Sequence, residues 1–114
     1  MAGVRIREYI DSSGSSPWSE WLRSLDFKAA AKVTIALYRM AEGNFSNVKG
    51  VGAGVFERVI DWGPGYRIYF GKDGDAIVIL LGGSSKRRQQ QAINIAIQHW
   101  DEYVRRKAKG QAWH

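Results

Sequence analysis

Residues Val55–Arg88 read VFERVIDWGPGYRIYFGKDGDAIVILLGGSSKRR, and this stretch decides the fold. Two groups of turn residues, Gly63-Pro64-Gly65 and Lys72-Asp73-Gly74, divide it into three runs: Val55–Asp61, Tyr66–Gly71 and Ala76–Leu81. The runs are predicted as successive strands joined by tight turns, with Pro and Gly in the first turn suited to the centre of a type II turn. In the middle run Tyr66, Ile68 and Phe70 share one face and Arg67 and Tyr69 the other, because strand side chains alternate. The last run is apolar at every position, as expected of a central strand covered on both faces. Gly82-Gly83-Ser84-Ser85 then leads into a helix over about Lys86–Lys107, whose first turn carries Lys86, Arg87 and Arg88.

Working upstream, Val4 and Ile6 alternate with Arg5 and Arg7 and predict a first strand. Ser16 followed by Pro17 is a helix start, with Ser as cap and Pro at the first helical position. That helix runs to about Leu25 and carries Trp18, Trp21, Leu22 and Leu25 on its apolar side. Asp26 caps a second helix from Phe27 to Glu42, with Ala30, Val33, Leu37 and Met40 at helical spacing. Phe45–Gly54, rich in Gly and Asn, reads as a loop. On the last helix Ile93, Ala96, Ile97, Trp100 and Val104 form an apolar stripe. The order β-α-α-β-β-β-α predicts an α+β domain over residues 1–114, with helices packed on one face of a mainly antiparallel sheet.

At 114 residues the chain is one domain by length and can bury a core without disulfides or metal. No cysteine is present, which removes disulfides, thiolate metal sites and thiol nucleophiles together and fits a reducing compartment. The net charge of +6 favours anionic partners: nucleic acid, an acidic protein or a membrane surface. The opening residues MAGVRIREYIDSSG hold no long apolar run with a cleavage pattern, and Ala76–Leu81, the longest apolar run, is too short to cross a bilayer. A cytoplasmic location and no membrane association are therefore expected.

Candidate chemistry lies in the cations. The only histidines are His99 and His114, with no carboxylates at ligand spacing, so no transition-metal site is expected. Gly50-Val51-Gly52-Ala53-Gly54 precedes a strand rather than a helix and reads as a turn, not a phosphate loop. Lys86, Arg87 and Arg88 stand at the helix end where the dipole disfavours cations by about 0.3–1 kcal/mol each. They are either a solvated charge run or an anion site in which helix amides, the Gly/Ser loop and the cations converge on one phosphate. The run Arg105, Arg106, Lys107 and Lys109 sits at the favourable end and reads as a solvated helix terminus. With Tyr66, Ile68 and Phe70 turned toward the helices, Arg67 and Tyr69 would point to the open side of the sheet, although Arg67 could also pair with Glu57 or Glu8. Alternation does not assign a face to Arg58. His99, just off the apolar stripe, reads as a packing or surface residue.

Four segments, SPWSEWLRSL (16–25), GNFSNVKGVGAGVFERVIDWGPGYRIYFG (43–71), IVILLGG (77–83) and SKRRQQQAINIA (85–96), give the chain a resemblance to the RelE/ParE superfamily of type II toxin–antitoxin toxins. It resembles in particular the phage-derived addiction module killer proteins. The resemblance covers nearly the whole chain and implies the RelE-like β-α-α-β-β-β-α fold, a helix-turn-helix antitoxin as partner, and ribosome-dependent cleavage of mRNA without metal or cofactor. In that reaction a 2′-hydroxyl attacks the adjacent phosphate, which calls for a proton acceptor, a donor to the leaving oxygen and positive charge for the developing dianion.

By the same resemblance, Arg67 in GYRIYF matches the strand arginine that acts on the phosphate, and one of Lys86, Arg87 and Arg88 matches a further cation. Lys49 and Arg58 match basic positions that grip RNA, with Tyr66 beside them. Some ribonuclease relatives carry a tyrosine on the last helix as proton acceptor, whereas here Gln89-Gln90-Gln91-Ala92-Ile93 occupies that region. Tyr69, Tyr66 and His99 are the candidates to replace it. The superfamily also contains ParE-like gyrase inhibitors, and a non-catalytic nucleic-acid-binding module is the third reading.

Overall fold

In the computed structural model, residues 3–110 are described, so Trp113 and His114 lie outside the described residues. The elements are β1 (Arg5–Glu8), α1 (Pro17–Ser24), α2 (Phe27–Ala41), β2 (Val48–Gly52), β3 (Val55–Ile60), β4 (Tyr66–Asp73), β5 (Ile77–Ser85), a 3-10 turn (Lys86–Arg88) and α3 (Gln89–Ala108). The five strands form one sheet in the order β1-β5-β4-β3-β2, antiparallel except where β1 pairs with β5. The chain is thus α+β, with a mixed sheet. Among the described residues no helix is long and apolar enough to cross a membrane.

The helix starts form as their sequence dictates. Ser16 Oγ accepts from the Ser19 amide at 3.0 Å, and Asp26 accepts from the Ala29 amide at 2.8 Å. Asp26 is exposed and makes no other side-chain hydrogen bond among the described residues, so Asp26→Ala is expected to cost about 1 kcal/mol, read as a lower urea midpoint at unchanged slope. The buried stripe of α2 is Ala29, Val33, Ala36 and Met40, one position off the expected one at Ala30 and Leu37. On α3 Tyr103 rather than Val104 closes the stripe.

Three expectations need correction. First, Val48–Gly52 is a strand and not a loop. Its glycines and exposed side chains carry little strand signal, and it exists because β3 supplies hydrogen-bond partners. Ala53 and Gly54, both at positive φ, link the two strands, as a type I′ hairpin requires. Second, the Gly65 amide bonds to Trp62 O at 2.9 Å, so the central turn residues are Gly63, at φ +58°, and Pro64. That order of signs is opposite to a type II turn.

Third, the helices cover both faces. α1 and α2 pack on one face, against Ile60, Ile68, Phe70, Val78 and Leu80. α3 packs on the other, through Ile93, Ala96 and Tyr103, against Val55, Tyr69, Ile79 and Leu81. The uninterrupted apolar run of β5 is what two covered faces require, and a bulge between Tyr69 and Phe70 of β4 and their partners Gly82 and Leu80 shifts the alternation, so that Leu81 faces α3 while Gly83 faces Trp21 of α1.

Glycine admits a tryptophan to each face. A Cβ at Gly83 would stand 2.3 Å from the Trp21 ring on the α1 side, and one at Gly71 would stand 2.3 Å from Trp100 on the α3 side.

Candidate functional site

Alternation along β3 and β4 turns Glu57, Arg67 and Tyr69 to the α3 face, at the end where that helix begins. Glu57 is fully buried. Its carboxylate accepts from Gln89 Nε2 of α3 at 3.0 Å and lies 3.7 Å from Arg67 Nε on one oxygen, with Lys49 Nζ 3.6 Å from the other. The two ion pairs are longer than hydrogen bonds, and among the described residues Glu57 Oε1 and Arg67 Nε, both buried, find no hydrogen-bond partner, as is true of Arg58 Nε on the opposite face. Buried charges of this kind are coupled electrostatically and still under-satisfied, an arrangement that costs stability and marks a site.

Arg67 is 8% exposed. A Cβ at Gly65 would lie 3.3 Å from Arg67 Nη1 and 3.4 Å from Lys86 Cβ, so the bare glycine lets strand arginine and turn lysine approach each other. The Lys86 amide donates to Gly65 O at 2.9 Å and fixes the 3-10 turn against β4. Lys86, Arg87 and Arg88 are exposed, and among the described residues no carboxylate pairs with any of them. Neither Ser85, ahead of the turn, nor Arg88, ahead of α3, makes a side-chain cap. The start of this helix therefore holds uncapped amides and three cations at once.

The far end of α3 differs. Arg105 pairs with Asp101 at 3.0 Å, Arg106 with Glu102 at 2.7 Å, and Lys107 with Asp73, which also accepts from Tyr103. The basic run expected to be simply solvated is an ion-paired clamp. Three of the cations at this end of α3 are ion-paired, whereas among the described residues no carboxylate pairs with those at the other end.

Several residues singled out in the sequence lie elsewhere. Tyr69 does not point to an open side. It is fully buried under α3, its hydroxyl 3.2 Å from Ser84 Oγ, and burial pushes its phenol up to about 12. It therefore keeps its proton at neutral pH. Arg58 turns to the opposite face, 5% exposed, donating to Ser46 O at 2.6 Å, and desolvation with nearby Arg39 lowers its pKa. It stands apart from Lys49, with which the resemblance grouped it. Tyr66 is also on that opposite face, between Trp21 and Trp62 at ring distances of 6.4 and 6.3 Å. His99 stacks on Tyr9 at 4.8 Å, and burial lowers its pKa. It belongs to the clamp end of α3.

Arg67 and Lys49 thus gather around Glu57, with Lys86 beside Gly65 and Arg67 and with Arg87 and Arg88 on the same turn, while Arg58 and Tyr66 do not join them. Gln89 and Ser84 complete the cluster and carry no sequence signal of their own. Glu57 was legible only as one of two possible partners for Arg67. Among the described residues no three His, Cys, Asp or Glu side chains come together as a metal site would need. The arrangement can bind an anion: a strand guanidinium oriented by a buried carboxylate, beside an uncapped, cationic helix start.

No family model matches the chain. A curated protein of Haemophilus influenzae, named "Uncharacterized protein", is 40% identical over 65 residues. The match spans 56% of this chain and 66% of that relative, a little under two thirds of its length.

Proposed function

We propose that the chain is the toxin of a type II toxin–antitoxin pair of the RelE/ParE kind, and that it cleaves mRNA on the ribosome. The observation that carries this reading is the under-satisfied Arg67–Glu57 pair beside the uncapped Lys86–Arg88 turn. The order of α1, α2, the β2–β5 meander and α3 is compatible with a RelE-like domain.

In this reading Arg67 and Lys86 receive the scissile phosphate and stabilise the charge that builds on its oxygens as the 2′-hydroxyl attacks. The 2′-hydroxyl loses its proton to solvent water as it attacks, and the products are a 2′,3′-cyclic phosphate and a freed 5′-hydroxyl, whose proton comes from a cation of the Lys86–Arg88 turn that regains it from solvent. Glu57 orients the Arg67 guanidinium and lowers its cost of burial. A helix-turn-helix antitoxin that covers the cationic end of α3 silences the site.

One observation favours a second reading, a gyrase-binding or non-catalytic nucleic-acid module. The helix start has no tyrosine, and Tyr69 is buried with its pKa near 12, so neither supplies a proton acceptor.

Expression in a bacterium lacking the antitoxin, with primer extension on translated messages, separates the readings. Growth arrest with discrete, translation-dependent cuts is the expected result. Arrest with intact mRNA and DNA damage signalling moves the chain to gyrase. A folded product that binds RNA with steep salt dependence but leaves messages whole is a binding module.

A further inference from the structure

At the margin of the sheet along β5, a groove of about 440 Å³ opens between α1, on one face, and the first turns of α3, on the other. It follows a stretch of β5 that is paired with β4 but, among the described residues, has no strand on its other side: β1 pairs only as far as Leu80, while β5 runs on to Ser85. One wall is aromatic. Trp21 lies over Gly83, and Tyr66 meets it edge-on at 60°. The other wall is formed by Arg88, which ends the 3-10 turn, and by Gln91 and Ile95 of α3, spaced four residues apart and so on one side of the helix. Ile95 is 44% exposed there, an apolar side chain left open to solvent. No carboxylate lines the groove.

The groove joins the cationic cluster on three sides. Tyr66 directly precedes Arg67, Ser84 lines the groove and reaches Tyr69, and Arg88 belongs to the same turn as Lys86. A phosphate held by Arg67 and Lys86 would therefore leave its neighbouring nucleotide at the groove mouth. The volume lies in the range of small-ligand sites, about 300–1,000 Å³. Flat aromatic faces accept any base, a guanidinium suits the phosphate that follows, and the Gln91 carboxamide has both a donor and an acceptor for a base edge.

We infer that this groove is a subsite for one unpaired nucleobase of single-stranded RNA, lying against the aromatic wall of Tyr66 and Trp21 and met on its edge by Gln91. The inference rests on the RNA reading above. An added peptide strand would use the same open margin of β5, but it needs neither the aromatic wall nor the cation at the mouth.

The test is anisotropy with the intact protein and a short 2′-O-methyl oligoadenylate, which cannot be cleaved, alongside versions with a single abasic residue at each position in turn. One abasic position is expected to weaken binding about tenfold, the others little. Tyr66→Leu, which keeps an apolar side chain between Trp21 and Trp62, is expected to remove that position's penalty. Gln91→Ala, on an exposed residue, is expected to change the preferred base there, and it serves as the test if Tyr66→Leu does not fold. Lys86→Ala should weaken every oligonucleotide alike. Equal binding of all abasic versions, or an unchanged penalty and base preference in both groove variants, overturns the subsite while leaving the RNA reading intact. No binding of any oligonucleotide also overturns the subsite, while cleavage on the ribosome is decided separately by primer extension on translated messages. Amide signals of Gly82–Ser85 that move with a protein partner and not with RNA would assign the margin to a peptide strand and overturn the subsite.

Discussion

Arg67→Ala is expected to lower stability by about 3 kcal/mol and to abolish cleavage. The stability loss follows from the pair it breaks: Glu57 is fully buried, and removing its arginine leaves an uncompensated charge with only Gln89 and a mostly exposed Lys49 to hold it. For a chain of this size such a loss lowers Tm by about 10 °C. Growth rescue by Arg67→Ala alone would therefore not separate lost chemistry from lost folding.

Two further variants do. Arg67→Lys keeps a positive charge beside Glu57 but loses the planar fork, so it should stay folded while cleavage falls about a hundredfold. Glu57→Gln with Arg67→Met removes both charges and should recover most of the stability without activity, since neutral replacement of a buried pair is often harmless. Urea unfolding and primer extension on the three proteins check the scheme. If Arg67→Lys cleaves like the wild type, Arg67 does not bind the phosphate. If the double variant is no more stable than Arg67→Ala, the two side chains are not coupled.

Gly71→Ala is the second large effect, expected to cost about 1–3 kcal/mol with no change of charge. The added Cβ would stand 2.3 Å from Cε3 and 2.4 Å from Cζ3 of Trp100, distances at which something must move. Trp100 has little room to do so. Its ring is stacked on Tyr103 at 5.2 Å, and its Nε1 edge lies over Gly54, where a Cβ would come within 2.7 Å. The strain must therefore pass to the packing of α3 on the sheet. Trp100→Leu added to Gly71→Ala should recover part of the loss, because a smaller side chain vacates the space. Thermal unfolding of the single and double variants reads this directly, and additive losses would mean that the ring does not contact Gly71.

Much of the fold was legible in local residue patterns. Ser16-Pro17 and Asp26 mark helix starts because a capping side chain meets amides three residues away. Tyr66–Phe70 reads as a strand because alternation needs only neighbours. β2 was missed for the converse reason: VKGVG has low strand preference of its own, and it pairs because Glu57 and Arg58 of β3 stand opposite Lys49 and Val48. The pairs Trp21–Gly83 and Trp100–Gly71 were equally hidden, being 62 and 29 residues apart in the chain. The candidate site was half legible. Arg67 and Lys86–Arg88 stand out as cations in unusual places, whereas Gln89 and Ser84 matter only through what they touch.

What the sequence by itself determined is the series of elements, their caps and turns, and the split of β4 into two sets of side chains. These follow from interactions within a few residues. Tertiary structure alone decided which set meets which helix. Alternation separates Arg67 and Tyr69 from Ile68 and Phe70, but it is symmetric as to what packs on either side. Once α1 and α2 cover one face, the apolar residues left on the other draw α3 across it. That docking buries Tyr69, brings Gln89 onto Glu57, and leaves Arg67 beside Lys86 at the one end of α3 whose cations no carboxylate pairs among the described residues.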